Sequence, residues 1–204
     1  MLGIIFSTPN EAAPFVAQYA GGRFGELEEG SHLQTDAVVA TVTGPGKIKA
    51  TLGTERLLRE HDIDVLVHAG GAVALTDEYD PATVVGAAFV LEGDRVELDA
   101  PDYPRMPLTP PFDLSTEGTL VSQDHVREDA DDPSYWERIA DMRDATGYAV
   151  AYVAAQHGTT CHIVKGITAR ADAEDDSPPA DPRAAHDAVA SFLQRHVGTD
   201  SSDA

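Results

Sequence analysis

The sequence predicts an α/β protein built around a mixed or parallel β-sheet. Residues 64–75 form an apolar, β-branched run that contains Gly70 and Gly71, and so short a run indicates a buried central strand that ends in a Gly-Gly turn. A predicted strand and helix precede it, so strand, helix and strand alternate as in a βαβ unit. Open α/β sheets bind ligands at the C-terminal ends of their strands, which makes this turn the first candidate site.

The N-terminal segment predicts the first strand and the first helix. Residues 2–7 are short and apolar, as a strand would be, and Thr8 and Pro9 supply an N-cap and a first helical residue. We expect this helix to run to about residue 19, with Glu11 in its first turn. Because a helix N-terminus favours carboxylates, Glu11 is either a functional acid or a residue selected by the helix alone.

The following segment predicts two strands and a second helix. Residues 24–33 and 36–43 are interpreted as a pair of strands, and the turn at 44–47 leads into a helix over 48–60. The apolar side of this helix is predicted to carry Ile48, Leu52, Leu57 and Leu58.

The rest of the chain predicts three further strands, long loops and two helical regions. In order, they are a strand near 83–91, a proline-rich surface loop over 101–111, a buried strand at 118–122, a polar loop at 123–132, two helical pieces within 133–155, a last strand at 161–166 and a closing helix between its cap Asp181 and Gly198. We interpret residues 1–198 as a single domain and residues 199–204 as a disordered tail.

The composition restricts the compartment and the partners of the protein. The 204 residues include 35 acidic and 14 basic side chains, for a formal net charge of -21. This charge predicts a halophilic host, with an ordinary acidic surface as the alternative, and it disfavours nucleic acid or an anionic membrane as partner. The N-terminus lacks the basic region and cleavage site of a secretory signal, so we expect a cytoplasmic protein. The single cysteine, Cys161, excludes an internal disulfide and disfavours a structural zinc site, and we expect neither metal nor cofactor.

Five strings of the sequence together resemble a known superfamily. They are GIIFSTPNEA at 3–12, TGPGKIKATLGTERLL at 43–58, VLVHAGGAVAL at 65–75, GTLVSQD at 118–124 and GYAVAYVAAQHGTTCHIVKGIT at 147–168. In this order they resemble the nucleoside phosphorylases and nucleosidases, particularly the methylthioadenosine/S-adenosylhomocysteine nucleosidases and the futalosine hydrolases. The resemblance implies a three-layer α/β/α sandwich around a mixed sheet, and cleavage of the N-glycosidic bond of a purine-type nucleoside.

The resemblance also implies three carboxylates, and only the first matches without a gap. In those nucleosidases a Glu in the first helix orients the attacking water, and Glu11 falls on that position. A second Glu holds the ribose, but this position falls on Thr146, which can still donate to a ribose hydroxyl. Asp144, two residues earlier, is the candidate replacement, although we favour its interpretation as a solvated acid at the start of a helix.

The third implied carboxylate is an Asp after the last strand, which protonates the leaving base. Here Thr168 is followed by Ala169, and alanine cannot donate a proton. Asp172 is the candidate replacement, unless it belongs to the acidic linker that follows. Asp172 therefore joins Glu11 and Asp144 as the third candidate catalytic residue.

Further candidates for substrate binding come from the loops and turns of the resemblance. His68 and His125 can take up acid chemistry near neutral pH, although a hydrogen-bonded structural histidine is the commoner outcome. The Gly70-Gly71-Ala72 segment matches a turn in which relatives place a hydroxyl near the nucleophile, but Gly71 supplies none. The complete predicted binding set is His68, Gly70, Gly71, Ala72, Ser122, Asp124, His125, Thr146 and Thr168.

Two functions remain open from the sequence. The arginines with which phosphorylases of this superfamily bind phosphate have no evident counterpart, so water is the expected nucleophile and a nucleosidase is the first hypothesis. The missing carboxylates support the alternative, a non-catalytic or repurposed relative that binds a nucleoside-like ligand or a partner subunit. The resemblance further implies a homodimer or higher homo-oligomer, in which a neighbouring subunit closes the sugar site.

Overall fold

A computed structural model describes residues 1–19, 24–94, 105–109, 112, 114–124, 136–171 and 181–197. In chain order, the helices and strands within these residues are β1 (Leu2–Phe6), α1 (Pro9–Tyr19), β2 (His32–Gln34), β3 (Val38–Val42), α2 (Lys47–Glu60), β4 (Val65–Ala74), β5 (Val84–Glu92), β6 (Arg105–Pro107), β7 (Glu117–Ser122), β8 (Met142–Asp144), α3 (Gly147–His157), β9 (Thr160–Arg170) and α4 (Pro182–Val197).

The strands form one mixed sheet. Strand β1 lies between β3 and β4 and is parallel to both, and β4 is also parallel to β9. Strand β9 then pairs with β5 in the antiparallel direction, and β5 leads to β7 and β8 on one side and to β6 on the other. The parallel strands β1, β3, β4 and β9 therefore direct their C-terminal ends toward the same edge, where the candidate site lies.

Helices cover both faces of the sheet. Successive residues of a strand point to opposite faces, so Ile4 and Ile5 of β1 belong to different apolar clusters. The cluster around Ile5 includes residues of α2 and α3, and the cluster around Ile4 includes residues of α1 and α4. These helix residues are Ala50, Leu57, Val150 and Ala154 on the first face, and Phe15, Val16, Val189 and Leu193 on the second. The predicted three-layer α/β/α sandwich around a mixed sheet is confirmed.

The central strand β4 does not end where the sequence suggested. It continues through both glycines to Ala74, with Gly70 opposite Lys165 and Gly71 opposite Gly166 of β9. The predicted Gly-Gly turn is therefore wrong. A Cβ on Gly70 would lie 2.5 Å from Oε1 of Glu11, so glycine is required here because a carboxylate packs against the strand.

The predicted apolar side of α2 is also wrong in part. Ile48 is 76% exposed and Leu52 is 67% exposed, whereas Leu57 is buried. The helix approaches the sheet through small residues: a Cβ on Gly53 would lie 2.5 Å from Cγ2 of Thr43. Because this small-residue stripe faces the sheet, the larger side chains one turn apart at 48 and 52 point outward.

Several other boundaries differ from the predictions. The predicted strand over 24–33 is reduced to β2, the predicted loop over 101–111 contains β6, and β8 lies inside a segment predicted to be helical. Strand β8 forms because residues 142–143 pair with β4 and residues 142–144 pair with β7. Helix α4 begins as predicted, since Asp181 Oδ1 accepts a hydrogen bond of 3.0 Å from the backbone N–H of Arg183.

Some predictions fall outside the described residues. They concern the polar loop at 125–132, the candidates His125 and Asp172, Gly198 and the tail at 199–204. Among the residues that the structure describes, no helix is both long and apolar enough to cross a membrane.

Candidate active site

Glu11 is held at the start of α1 by backbone N–H groups. Its Oε2 accepts hydrogen bonds from the N–H groups of Ser7 at 3.0 Å and Thr8 at 2.8 Å, and its Oε1 accepts one from Gly71 at 2.7 Å. The hydroxyl of Thr8 completes the cap, since it lies 3.4 Å from the backbone nitrogen of Glu11. The carboxylate thus joins the turn after β1 to strand β4, and it is fixed in place without a cationic partner among these contacts.

The Glu11 carboxylate faces a cavity at the C-terminal edge of the parallel strands. This cavity has a volume of about 340 Å³, within the range of roughly 300–1,000 Å³ that small-molecule sites occupy. It is lined by Ser7, Thr8, Asn10, Glu11, Pro45, Gly71, Ala72, Val73, Arg143, Asp144, Ala145, Thr146, Thr168 and His186. These residues come from the turns after β1 and β3, from α1 and α4, from β4, β8 and β9, and from the segment between β8 and α3.

The cavity brings together half of the predicted site. Its lining includes the predicted residues Glu11, Gly71, Ala72, Asp144, Thr146 and Thr168. Four other predicted residues lie outside this lining and do not contact the cavity directly: His68, Gly70, Ser122 and Asp124.

Asp144 is not a solvated acid at a helix start, as the sequence interpretation favoured. It ends strand β8, and its side chain is 4% exposed. Its oxygens accept hydrogen bonds from Ser122 Oγ at 2.6 Å and from the backbone N–H of Gly147 at 2.9 Å. The predicted binding residue Ser122 therefore orients Asp144. The error arose because a strand, and not a helix, precedes Gly147.

Lys165 is the counter-ion of Asp144, and the sequence analysis missed it. The Lys165 side chain is 1% exposed, and its Nζ lies 2.8 Å from Asp144 Oδ2. Burial opposes ionisation of Asp144, but the Lys165 charge outweighs burial and holds the pKa of this carboxyl well below its usual range. A signal was present: a lysine within the apolar string CHIVKGIT is unexpected in a chain with three lysines.

His68 is a buried, neutral part of the same cluster. Lys165 Nζ donates to His68 Nε2 at 2.8 Å, so the other ring nitrogen carries the proton and donates to the carbonyl of Ile5 at 3.1 Å. Burial, and after it the nearby Lys165 charge, lowers the pKa of His68. A neutral histidine away from the cavity cannot serve as a general acid, which supports the structural alternative for this residue.

Thr146 connects the buried cluster to the cavity. Its Oγ1 lies 3.0 Å from His68 Nε2, 2.8 Å from Ser7 Oγ and 3.3 Å from Asp144 Oδ2. The side chain is buried at the N-terminus of α3 and reaches the cavity wall beside Ser7. Two hydroxyls thus present a polar wall whose orientation is set from behind by the ion pair.

Two predicted binding residues have different surroundings. Thr168 lines the cavity, where its hydroxyl donates to the carbonyl of Ala72 at 3.1 Å. Asp124 instead accepts a hydrogen bond of 2.8 Å from the backbone N–H of Lys47 at the start of α2, so it caps that helix from a distant loop. It lies in a separate depression beside Pro45 and Ala145.

Arg143 and His186 line the cavity and were not predicted. Arg143 precedes Asp144 on β8, and His186 lies in the N-terminal half of α4, where it is 8% exposed. The sequence carries no local motif around either residue, because their approach to the cavity depends on how β8 and α4 pack. Within the described residues, no group of three or more His, Cys, Asp or Glu side chains could hold a metal ion.

Comparisons with known proteins agree with this geometry at the level of the fold. No family model and no curated protein sequence matches the chain. Among solved structures, the native futalosine hydrolase of Helicobacter pylori superposes with a TM-score of 0.80 at 19% identity, covering 96% of both chains. The chain has the nucleosidase fold.

Other nucleosidases superpose over nearly the whole chain as well. The 5'-methylthioadenosine/S-adenosylhomocysteine nucleosidase of H. pylori, solved with butyl-thio-DADMe-Immucillin-A, gives a TM-score of 0.74 at 18% identity, covering 96% of this chain and 97% of that one. The 5'-methylthioadenosine nucleosidase of Arabidopsis thaliana gives 0.74 at 16% identity, covering 99% and 96%. The resemblance drawn from the five strings is therefore confirmed for the fold.

Proposed function

We propose that the protein is a nucleosidase that uses water to cleave the N-glycosidic bond of a purine-type nucleoside. The observation that carries this proposal is the Glu11 carboxylate, fixed by three backbone N–H groups and facing a cavity of about 340 Å³. The nucleosidase fold, which the structural comparisons establish, supports the same reaction class.

In the proposed reaction, water attacks C1′ of the sugar while the bond from C1′ to the base nitrogen breaks. Glu11 orients the water and accepts its proton, because its lone pairs are directed by fixed donors and it needs no reorganisation during the reaction. The polar wall formed by the hydroxyls of Ser7 and Thr146 is placed to hold the ribose hydroxyls.

Asp144 acts in this proposal through its neighbours. Its two oxygens already receive Ser122 Oγ, the N–H of Gly147, Lys165 Nζ and the Thr146 hydroxyl. A carboxylate offers about four lone-pair sites, so we assign Asp144 to positioning Thr146 at the sugar. Asp172 remains a predicted acid that lies outside the described residues.

A second function has two specific observations in its favour. Ala169 stands where the resembling nucleosidases carry the acid for the leaving base, and Gly71 lacks the hydroxyl of its counterpart. A binding protein that has lost turnover would tolerate both changes. This alternative predicts nucleoside affinity without release of free base.

One experiment separates the two functions. The full chain is incubated at high KCl with adenosine, inosine, guanosine and 5'-methylthioadenosine, with and without inorganic phosphate, and free base is measured by chromatography. We expect base release that does not depend on phosphate. Release that requires phosphate would instead identify a phosphorylase, and clean calorimetric binding without any release would establish the binding protein.

We also propose that copies of the chain associate in a reducing, cytoplasmic and salt-rich environment. The lone cysteine and the charge of -21 support the environment. The exposed neighbours Ile48 and Leu52 on α2 support the association, because large apolar side chains one turn apart form a small apolar patch.

A further inference from the structure

We propose that His186 is the general acid of this site and that it gives a proton to the leaving base. This inference rests on the proposed nucleosidase function and deepens it. The departing purine needs a proton on a ring nitrogen, because an unprotonated purine anion is a poor leaving group. Ala169 cannot supply that proton, so the described part of the chain must either offer another donor or leave the reaction without one.

The position of His186 matches this task. A Cβ on Gly71 would lie 3.4 Å from Nε2 of His186, 3.7 Å from Oε1 of Glu11 and 2.8 Å from Cγ2 of Thr168. The imidazole therefore points from α4 toward Gly71, whose backbone N–H also contacts the Glu11 carboxylate. The close contact that requires glycine at 71 is with Cγ2 of Thr168, and Nε2 of His186 lies at van der Waals distance beside it.

His186 is buried without being committed to a structural contact. Its residue exposure is 8%, and it lines both the main cavity and a neighbouring one of about 530 Å³ that shares Asn10. Among the described residues, neither ring nitrogen has a hydrogen-bond partner. Neither nitrogen is among the buried side-chain atoms that the described residues leave without a partner, so the ring is accessible from the two cavities that it lines, where a ligand can reach it.

The other ionisable groups of the main cavity cannot give a proton near neutral pH. Glu11 is an acceptor for three backbone N–H groups, and the Lys165 charge holds Asp144 in its ionised form. Arg143 keeps its proton at any physiological pH. Histidine is the side chain that exchanges a proton most readily in this range, which leaves His186 as the donor among the described lining residues.

The charged groups around His186 come from three elements. Glu11 of α1 and Arg143 of β8 share the main cavity with it. Asp181, Arg183 and Asp187, at or near the N-terminus of α4, share the second cavity. Carboxylates and arginines therefore both face the ring, from the main cavity and from the second one.

The proposed step balances in protons and electrons. The bond from C1′ to the base nitrogen breaks, and its electron pair goes to the base. The imidazolium of His186 transfers the Nε2 proton to a ring nitrogen of that base, and the oxygen of water bonds to C1′. Glu11 takes the proton that the water loses, and solvent returns both side chains to their starting states after the products leave.

The test compares two substrates that differ in their need for an acid. Adenosine requires protonation of its leaving group, whereas 4-nitrophenyl β-D-ribofuranoside releases a stable nitrophenolate without it. In His186→Asn we expect kcat for adenosine, or for whichever purine nucleoside of the panel the wild type cleaves best, to fall by about 10²- to 10⁴-fold. Cleavage of the nitrophenyl riboside should remain within about threefold of wild type, because no proton is needed there.

Three further measurements complete the design. His196→Asn is the matched control, since its ring bonds to the carbonyl of Phe192 at the far end of α4 and should leave both substrates unaffected. His186→Gln provides a second variant should the first fail to fold. The decline of the wild-type purine rate at high pH should disappear in the His186 variants, since that decline reports deprotonation of the acid.

The outcomes separate the failure of the His186 assignment from the failure of the proposed nucleosidase function. A wild type that cleaves neither substrate overturns the nucleosidase proposal together with this one. If His186→Asn loses equal cleavage rate on both substrates, or loses none on either, His186 is not the general acid, and the nucleosidase proposal is unaffected. A selective loss of purine cleavage in Asp172→Asn, with none in His186→Asn, moves the acid to Asp172 and overturns the assignment.

Discussion

Two carboxylates line the same cavity, and they are held in opposite ways. Glu11 is bound by backbone N–H groups, two of them within four residues of it in sequence. Asp144 is bound by an ion pair with Lys165 and by a hydroxyl from another strand, and it is almost fully buried. The contrast separates their roles. Glu11, which has no counter-ion among these contacts, is the proposed proton acceptor, whereas Asp144, in a buried ion pair, stabilises the site.

The largest effect on stability is expected from breaking the buried ion pair. Lys165→Met leaves the Asp144 charge buried without its cation, which should lower the free energy of unfolding by about 3–5 kcal/mol. Urea unfolding at constant KCl concentration measures this loss in the free energy of unfolding. The double variant Lys165→Met/Asp144→Asn should lose less than the single variant, because it removes the stranded charge.

The matched control for this prediction is another lysine ion pair at the surface. Lys49 pairs with Glu29, and both side chains are about half exposed, at 50% and 47%. Lys49→Met should cost less than about 1 kcal/mol. Equal costs for the two lysine variants would show that the Lys165 pair contributes nothing beyond a surface contact.

The close approach of Glu11 to β4 provides the second prediction. Gly70→Ala places a Cβ 2.5 Å from Glu11 Oε1, so the carboxylate must move away from its donors. We expect a loss of about 1–3 kcal/mol in stability, and a larger proportional loss of base release, since Glu11 is displaced. Gly25→Ala is the control, because a Cβ there would meet nothing within 4 Å.

The buried histidine gives the third prediction, a pH dependence of stability. The pKa of His68 is lowered in the folded protein by burial and by Lys165. Below about pH 6.5, the pKa of a histidine in the unfolded chain, the unfolded chain binds a proton that the folded chain does not. The free energy of unfolding therefore decreases as the pH is lowered, by up to about 1.4 kcal/mol per pH unit. Asp144 acts in the same direction, but only below about pH 3.9, because its folded pKa is lowered too.

Urea midpoints of the wild type and His68→Gln between about pH 8 and pH 5 test this dependence. The curve of the variant should be flatter over that range than the curve of the wild type. His157→Gln is the control, since His157 is partly exposed and pairs with Glu55 at the surface. A His68 variant whose stability follows pH as the wild type does would contradict the buried neutral histidine.

The smallest effect is expected outside the site, on the exposed face of α2. Leu52→Glu should change the stability of the folded chain by less than about 0.5 kcal/mol, because the side chain is exposed. Sedimentation should at the same time shift toward the monomer, as the proposed association predicts. Leu57→Ala, a buried position of the same helix, should instead cost about 2–5 kcal/mol.

The sequence predicts what is local. Thr8, Pro9 and Glu11 are neighbours whose helix-start chemistry needs no tertiary information, and the structure has α1 and its cap where the pattern placed them. Alternating strands and helices likewise predicted the mixed or parallel sheet, whereas the three-layer sandwich was implied by the resemblance. The Gly-Gly motif was recognised, but its cause was not, since the carboxylate that excludes a side chain at Gly70 comes from a different element.

The parts of the site that depend on long-range packing were not predictable. Lys165 meets Asp144 only because β9 and β8 both pair with β4, and a single sequence does not show that pairing. His186 reaches Gly71 only through the way α4 packs on the sheet. A lysine in an apolar strand was a usable signal that a buried acid must exist, because an unpaired buried charge is too costly to retain.

The most direct measurement combines base release and urea unfolding for Glu11→Gln and Asp144→Asn, under the same salt conditions. We predict that Glu11→Gln loses base release by about 10²- to 10⁴-fold. Its unfolding midpoint should fall less than that of Asp144→Asn, because the amide nitrogen leaves a backbone N–H without its acceptor but strands no buried charge. Asp144→Asn should lower the midpoint, since it strands Lys165. A Glu11→Gln protein that releases base at the wild-type rate, or that unfolds as early as Asp144→Asn, would contradict the account.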